Sequence, residues 1–290
     1  MNLLKSVFIS AFVAWLSLLS TYSFVQLISG TDPLLSWLGL ALAAFAPLVF
    51  FLKAFLLKSP RTPRHPLEYT TLSGLGLAMT MAMSLRYGQA AGVIHIWAGL
   101  TLLGWLVYLR WYSIFHGRDA QALRAGSKLP VFKLESLDGH MVSSESFKAK
   151  PHLLLFYRGN WCPFCTAQIE ELAADYQKLE KMGVGVVLIS PQPIIKTQQL
   201  AERFDIPMTF LRDRDCLAAK QLGILHKWGT PMGLQLRGYE SDSVLPTVIL
   251  TDAQGNIIFS DQTDNYRVRP EPGDFTALFK ANIPDNQEAV

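Results

Sequence analysis

Phe156-Tyr157-Arg158-Gly159-Asn160-Trp161-Cys162-Pro163-Phe164-Cys165 reads as the end of a strand, a turn and the start of a helix. The run His152 to Tyr157 has the unbroken apolar character of a buried strand, and from Pro163 to Met182 the residues Ile169, Leu172, Ala173, Tyr176 and Leu179 recur on one helical face. Gly159 marks the turn between them. Proline suits the first helical position, where its missing N–H costs nothing. Cys162 is thereby set at a helix N-terminus, where free N–H groups and the positive end of the dipole favour thiolate over thiol. Cys165 lies one turn further on, near enough to close a disulfide. The expectation is an attacking Cys162 close to solvent, a shielded resolving Cys165, and Arg158 adding positive charge beside the thiolate.

Working outward, Val131 to Leu134, the Asp138-Gly139 pair and Met141-Val142 predict a hairpin. Val184 to Ile189 is a second buried strand, Ile194 to Phe204 a helix, Met208 to Leu211 a strand and Leu217 to Leu222 a short helix. Val248 to Leu250 and Ile257 to Phe259 flank a turn at 253–256, and Asp274 to Ala281 closes the pattern as a helix. The helix after Cys162 supplies the crossover that parallel strands need, so this half is an α/β domain. Cys216 sits among Arg212, Asp213, Arg214 and Asp215 with nothing at motif spacing to pair it, and reads as a lone semi-buried thiol. Three cysteines do not make a disulfide framework, and a zinc site needs ligands that His226 and Cys216 are too scattered to supply. No cofactor and no metal is expected.

The N-terminal half is of another kind. The 290 residues are 50% hydrophobic with a mean hydropathy of +0.22, and the apolar excess lies before about residue 115. Charge divides at the same place: residues 1–116 carry 7 Lys+Arg against 2 Asp+Glu, and residues 117–290 carry 19 against 21. No basic patch calls for nucleic acid. Four apolar stretches, Ser6 to Ile28, Leu34 to Leu57, Tyr69 to Leu85 and Ala90 to Leu109, approach the ~20 residues a bilayer-spanning helix needs, the third being short and rich in Met and Gly. The first is too long for a signal-peptide core and is expected to be retained. Lys5, the Lys58 to Arg64 loop and the segment Arg110 to Lys128 fall on one side of such a four-span arrangement, and Arg86 falls on the other. By the positive-inside rule both termini face the cytoplasm, giving a multi-pass protein of the inner or plasma membrane. The organisation expected is a four-helix transmembrane region (1–115), a linker (116–128), an α/β redox domain (129–282) and a tail (283–290).

The redox half resembles known families. Trp161-Cys162-Pro163-Phe164-Cys165 is similar to the W-C-x-x-C of thioredoxins and the C-P-Y-C of glutaredoxins, and the element order is that of the thioredoxin fold. The longer stretch, with its F-Y-R-G-x-W-C-P-x-C form, resembles the peroxiredoxin-like members of the alkyl hydroperoxide reductase/thiol-specific antioxidant family, and the opening hairpin is of redoxin type. The resemblance covers residues 127–282 and implies catalytic Cys162 and Cys165 supported by Arg158, Trp161 and Pro246. Leu245-Pro246-Thr247 resembles the cis-proline loop of thioredoxin folds, which implies backbone at Val244 or Leu245 offered to a substrate. One departure is visible. Peroxiredoxins place a threonine or serine three residues, and a proline seven residues, before the peroxidatic cysteine; counted from Cys162 those positions are Gly159 and Leu155. Arg158, with Arg212 or Arg214, would then have to hold the peroxide.

Three functions fit these features. A thiol-dependent peroxidase would oxidise Cys162 to a sulfenic acid that condenses with Cys165. A protein disulfide reductase would form a mixed disulfide at Cys162, resolved by Cys165. A membrane redox sensor or scaffold would be oxidised once per molecule without turnover. The partners implied are membrane lipid, a peroxide or disulfide substrate, and a reductant that is a thioredoxin-like protein or a low-molecular-weight thiol.

Overall fold

A computed structural model describes residues 2–57, 59–88, 92–115, 118 and 121–282, which form two compact units, Val7–Ile114 and Met1–Ser6 with Phe115–Val290. Lys58 of the basic loop, four residues of the expected linker (116, 117, 119 and 120) and the tail 283–290 lie outside the described residues.

The first unit is built from helices α1 (Asn2–Ile28), α2 (Leu34–Leu56), α3 (Leu67–Tyr87) and α4 (Gly92–Val107), the last continued by a π-helical turn over Tyr108–Tyr112. Three segments are long and apolar enough to cross a bilayer: Asn2–Ile28 with 27 residues, Leu34–Leu56 with 23 and Val93–Tyr112 with 20. Large apolar side chains such as Leu18, Leu38, Phe55, Leu56 and Leu103 stand exposed on these helices, a surface suited to lipid. The expectation of four spans is met by three. The exception is α3, whose 21 residues include Glu68, Thr70, Thr71, Ser73 and Thr80.

The polar residues of α3 have definite tasks. Pro47, inside α2, has no N–H to offer the carbonyl of Ala43 four residues earlier. The Ser73 hydroxyl donates to that carbonyl at 3.0 Å, so the broken ladder is satisfied from the neighbouring helix. Thr70 Oγ1 accepts from Trp105 Nε1 at 2.9 Å. The two helices cross on small residues: a methyl group on Gly76 would stand 2.5 Å from the Gly39 oxygen and 2.6 Å from the Ala43 nitrogen.

The second unit holds a seven-stranded sheet of order β2-β1-β5-β4-β3-β8-β9. The strands are β1 (Lys133–Ser136), β2 (Met141–Ser143), β3 (His152–Phe156), β4 (Gly185–Ser190), β5 (Thr209–Arg212), β8 (Thr247–Thr251) and β9 (Ile257–Asp261). Strands β3, β4 and β5 run parallel, and β8 lies antiparallel to β3 with Leu154 opposite both Val187 and Ile249. Strands β3, β4 and β8 are buried along their whole length, which is why they read as unbroken apolar runs rather than alternations. Helix α5 (Pro163–Lys181) crosses from β3 to β4 and buries Ile169, Leu172 and Leu179, the face its periodicity marks. Helices α6 (Ile194–Ala201), α7 (Leu217–Gln221) and α8 (Pro272–Asn282) complete the domain. Each strand and helix expected after residue 129 is present within a few residues. What the periodicity does not mark is a small ladder of β6 (Leu225–His226) with β7 (Ser243–Val244), which closes off a loop containing a 3₁₀ turn at Leu234–Arg237. Two-residue strands are too short to carry a period.

Candidate active site

Strand β3 delivers the chain to the site and Tyr157 still bonds to β4 through its N–H and the Ile189 oxygen at 2.9 Å. The chain then turns at Gly159, and Cys162 is the N-cap of α5 with Pro163 in its first turn, as the sequence predicts. Gln192, just past β4, fixes the turn: its Oε1 accepts the Asn160 N–H at 2.8 Å, and its Nε2 donates to Tyr157 Oη at 3.2 Å.

Cys162, Cys165 and Cys216 are all free thiols, and all are buried; Cys162 and Cys165 are 1% and 0% exposed, so the expected exposed attacker is not seen. The charge distribution also departs from the expectation. The Cys162 side chain collects no capping hydrogen bond from the helix. The N–H groups of Cys165 and Thr166 go instead to the Cys162 carbonyl, at 3.0 and 3.1 Å. Burial pushes the Cys162 thiol well above its ordinary range, and its hydrogen bond to Cys165 holds the proton there. Burial acts on Cys165 in the same upward sense. It is outweighed by the hydrogen bond from Cys162, by the guanidinium of Arg269 and by the backbone N–H and charge of Arg158, which together bring Cys165 down to about 5. The pair thus carries one negative charge, seated on the second cysteine.

Arg158 is buried, with its guanidinium carbon 4.6 Å from the Trp161 ring centroid and 5.5 Å from that of Tyr266. Its Nη2 donates to the Gly229 oxygen, and its carbonyl accepts from Ser243 Oγ at 3.2 Å. Trp161 is therefore the lid over this arginine. Arg212 pairs with Glu135 at 3.4 Å and exposed Arg214 lies 3.8 Å from Asp215, and neither figures among the charges acting on the thiols.

Arg269 is the functional residue the sequence reading missed. It lies 6% exposed in the segment between β9 and α8 and reaches Cys165 Sγ with Nη2 at 3.5 Å. Its Nη1 donates to Gln168 Oε1 at 2.6 Å and its Nε to the Tyr266 oxygen at 3.0 Å. The only signal was Arg267 and Arg269 standing close together in a region otherwise balanced or acidic.

The proline loop corrects another expectation. Cis geometry, among the described residues, belongs to Asp32–Pro33; the Leu245–Pro246 bond is trans. The backbone there is not open to a substrate strand. Val244 is paired with Leu225 in β6–β7, the Leu245 N–H donates to the Ile224 oxygen at 2.7 Å, and the Pro246 oxygen accepts from Arg118 Nη2 at 2.7 Å. Arg118 also reaches Thr247 Oγ1 at 3.2 Å.

Comparison with known proteins agrees with the chemistry. A model described as the AhpC/TSA family matches residues 125–260. Peroxiredoxin Bcp of Escherichia coli (strain K12) is 32% identical over 147 residues, which are 50% of this chain and 90% of that protein. The chloroplastic peroxiredoxin Q of Triticum aestivum is 34% identical over 109 residues, 38% of this chain and 48% of that protein. The crystal structure of peroxidoxin BcpB from Mycobacterium tuberculosis covers 55% of this chain and 98% of its own at 20% identity and a TM-score of 0.46.

Proposed function

The chain belongs to the AhpC/TSA family, and on that premise we propose that it is a membrane-anchored thiol peroxidase whose Cys162–Cys165 dithiol reduces a peroxide and is itself restored by an external thiol. The observation that carries this reading over protein disulfide reduction is access. Both sulfurs are essentially covered. The backbone that would hold a substrate polypeptide at Val244 to Pro246 already has its partners in β6, Ile224 and Arg118. A peroxide is small enough to reach a sulfur in such a site; a disulfide on a folded protein is not. Arg158, Trp161 and Pro246 act as supports: Arg158 contributes charge, Trp161 covers it, and Pro246 fixes the wall beside the pair.

The test compares hydrogen peroxide and a model protein disulfide as oxidants of the reduced full-length protein in detergent. The proposal expects saturating turnover with peroxide and a thiol reductant, and negligible rates with the disulfide. Preference for the disulfide would refute it.

Anchoring follows from α1, α2 and the Val93–Tyr112 segment, with α3 as a fourth crossing held against α2 through Gly39, Ala43 and Ser73. With four crossings the redox domain lies on the cytoplasmic side, where Lys5, Arg61, Arg64 and Arg110 also fall. A thioredoxin-like protein or a low-molecular-weight thiol is available there as reductant.

A further inference from the structure

Which sulfur meets the peroxide is decided by the donors around it, and here the second cysteine of the pair has them all. We infer that Cys165, held by Arg269, is the sulfur that attacks the peroxide, and that Cys162 is the proton donor and the resolving thiol. This rests on the peroxidase reading above and reverses the order that the helix N-terminus alone suggests.

Three donors converge on Cys165 Sγ: the Arg269 Nη2 at 3.5 Å, the Cys162 thiol, and the Arg158 backbone N–H. A sulfur receiving three N–H or S–H donors is a thiolate, because only the anion has lone pairs for all of them. Arg269 is not there by chance of a mobile side chain. Its other nitrogens are fixed on the Tyr266 carbonyl and on Gln168 Oε1. Gln168 is itself buried and stands three residues after Cys165 on α5, on the same helical face. Gln168 thus positions Arg269, and Arg269 touches the reacting sulfur. Cys162 has no equivalent set: its side chain takes no helix N–H, and Pro163 has none to give. Exposure does not separate the two, since both are covered.

The chemistry closes with the groups present. The Cys165 thiolate attacks one peroxide oxygen; the S–O bond forms and the O–O bond breaks. Sulfur loses two electrons and the peroxide gains them. The departing oxygen takes the proton from the Cys162 thiol and leaves as an alcohol, or as water when the substrate is hydrogen peroxide. The Cys162 thiolate so formed attacks the Cys165 sulfenic acid; the S–S bond forms, and hydroxide departs and is protonated by solvent to water. Two equivalents of an external thiol then return the pair to the dithiol.

The test uses the full-length protein in detergent with Cys162→Ser, Cys165→Ser, Arg269→Gln and Arg269→Lys. After one equivalent of hydrogen peroxide, a dimedone-type probe is expected to label Cys165 in Cys162→Ser and to find no sulfenic acid in Cys165→Ser. Thiolate absorbance against pH is expected to show a midpoint near 5 that survives in Cys162→Ser and is absent from Cys165→Ser. Arg269→Gln is expected to raise that midpoint by about one unit or more and to slow peroxide oxidation at pH 6 about tenfold, with partial rescue in Arg269→Lys. A merely structural arginine would leave the midpoint unmoved. Sulfenic acid on Cys162 in Cys165→Ser, or a low midpoint retained in Cys165→Ser, overturns the inference. If no variant and no wild type reacts with peroxide, the peroxidase reading falls, and the absorbance titration still decides which sulfur carries the charge.

Discussion

Replacing Gly159 by alanine should damage the site through three separable costs. Gly159 has φ +150°, a conformation that side chains rarely adopt, and the backbone penalty is about 1–3 kcal/mol. The added methyl would stand 2.7 Å from Trp161 Nε1 and 2.9 Å from its Cδ1, so the indole must move off Arg158. That stacking is worth about 0.5–2 kcal/mol. The methyl would also lie 3.3 Å from Gln192 Oε1, the acceptor of the Asn160 N–H, and losing that bond costs about 0.5–1.5 kcal/mol. Together these predict a loss of about 2–5 kcal/mol, or a fall of about 5–15 °C in the Tm of the redox domain. Gly183→Ala is the control. It too has a positive φ, +70°, but nothing lies within 4 Å of the added methyl, so it bears only the backbone cost, about 1 kcal/mol. Thermal unfolding followed by near-ultraviolet dichroism compares the two. If Gly159→Ala is no more destabilised than Gly183→Ala, the packing of Trp161 and Gln192 around the turn does not constrain the site as described.

Cys216→Ser should keep most of the turnover, since peptide mapping of the oxidised wild type is expected to find Cys216 reduced; a disulfide from Cys216 to either other cysteine would contradict this. Burial and then the neighbouring Asp213 push the Cys216 thiol up to about 12. The stability it contributes is therefore complete below the unfolded thiol range and is lost as pH rises from about 9 toward 12. The stability difference between wild type and Cys216→Ala should shrink over that interval, and a constant difference would refute the assignment. Asp213→Ala should cost about 2–4 kcal/mol in urea unfolding, because the carboxylate accepts the N–H groups of Ala218 at 2.8 Å and Ala219 at 2.9 Å. For topology, the native thiols are too buried to report, so a cysteine at exposed Lys181 serves instead. Lys181→Cys should react with a membrane-impermeant maleimide only after permeabilisation; labelling in intact cells would mean that the number of crossings is odd and that α3 does not span.

Much of the sheet domain was legible because its strands are buried on both faces and its one long helix is amphipathic. His152 to Phe156 and Val184 to Ile189 announce themselves by composition, and the C-x-x-C fixes where α5 begins. The site was legible only in part. Cys162, Cys165, Arg158 and Trp161 are adjacent in sequence and were found together. Arg269 stands 104 residues from Cys165, and its role depends on a side-chain contact that no local pattern encodes. The thiolate was expected on Cys162 because a helix N-terminus is a strong general signal; the structure spends those N–H groups on the Cys162 carbonyl and supplies other donors to Cys165. The loop at Pro246 was expected in cis from its resemblance to thioredoxins, and Arg118 instead anchors a trans loop. In the helical unit, the polar residues of α3 counted against a span when read singly. Their value lies in what they satisfy on α2 and α4, the Ala43 carbonyl and the Trp105 indole.

The central claim is that this dithiol is a peroxide-reducing centre. The most direct measurement mixes fully reduced full-length protein with one equivalent of hydrogen peroxide in a single turnover, follows peroxide loss, and maps cysteine peptides without reduction. The account predicts one peroxide consumed per protein, at a rate far above that of a free thiol, with a Cys162–Cys165 disulfide as the product and Cys216 unmodified. Peroxide loss no faster than with a free thiol, or a product lacking the Cys162–Cys165 bond, would contradict it.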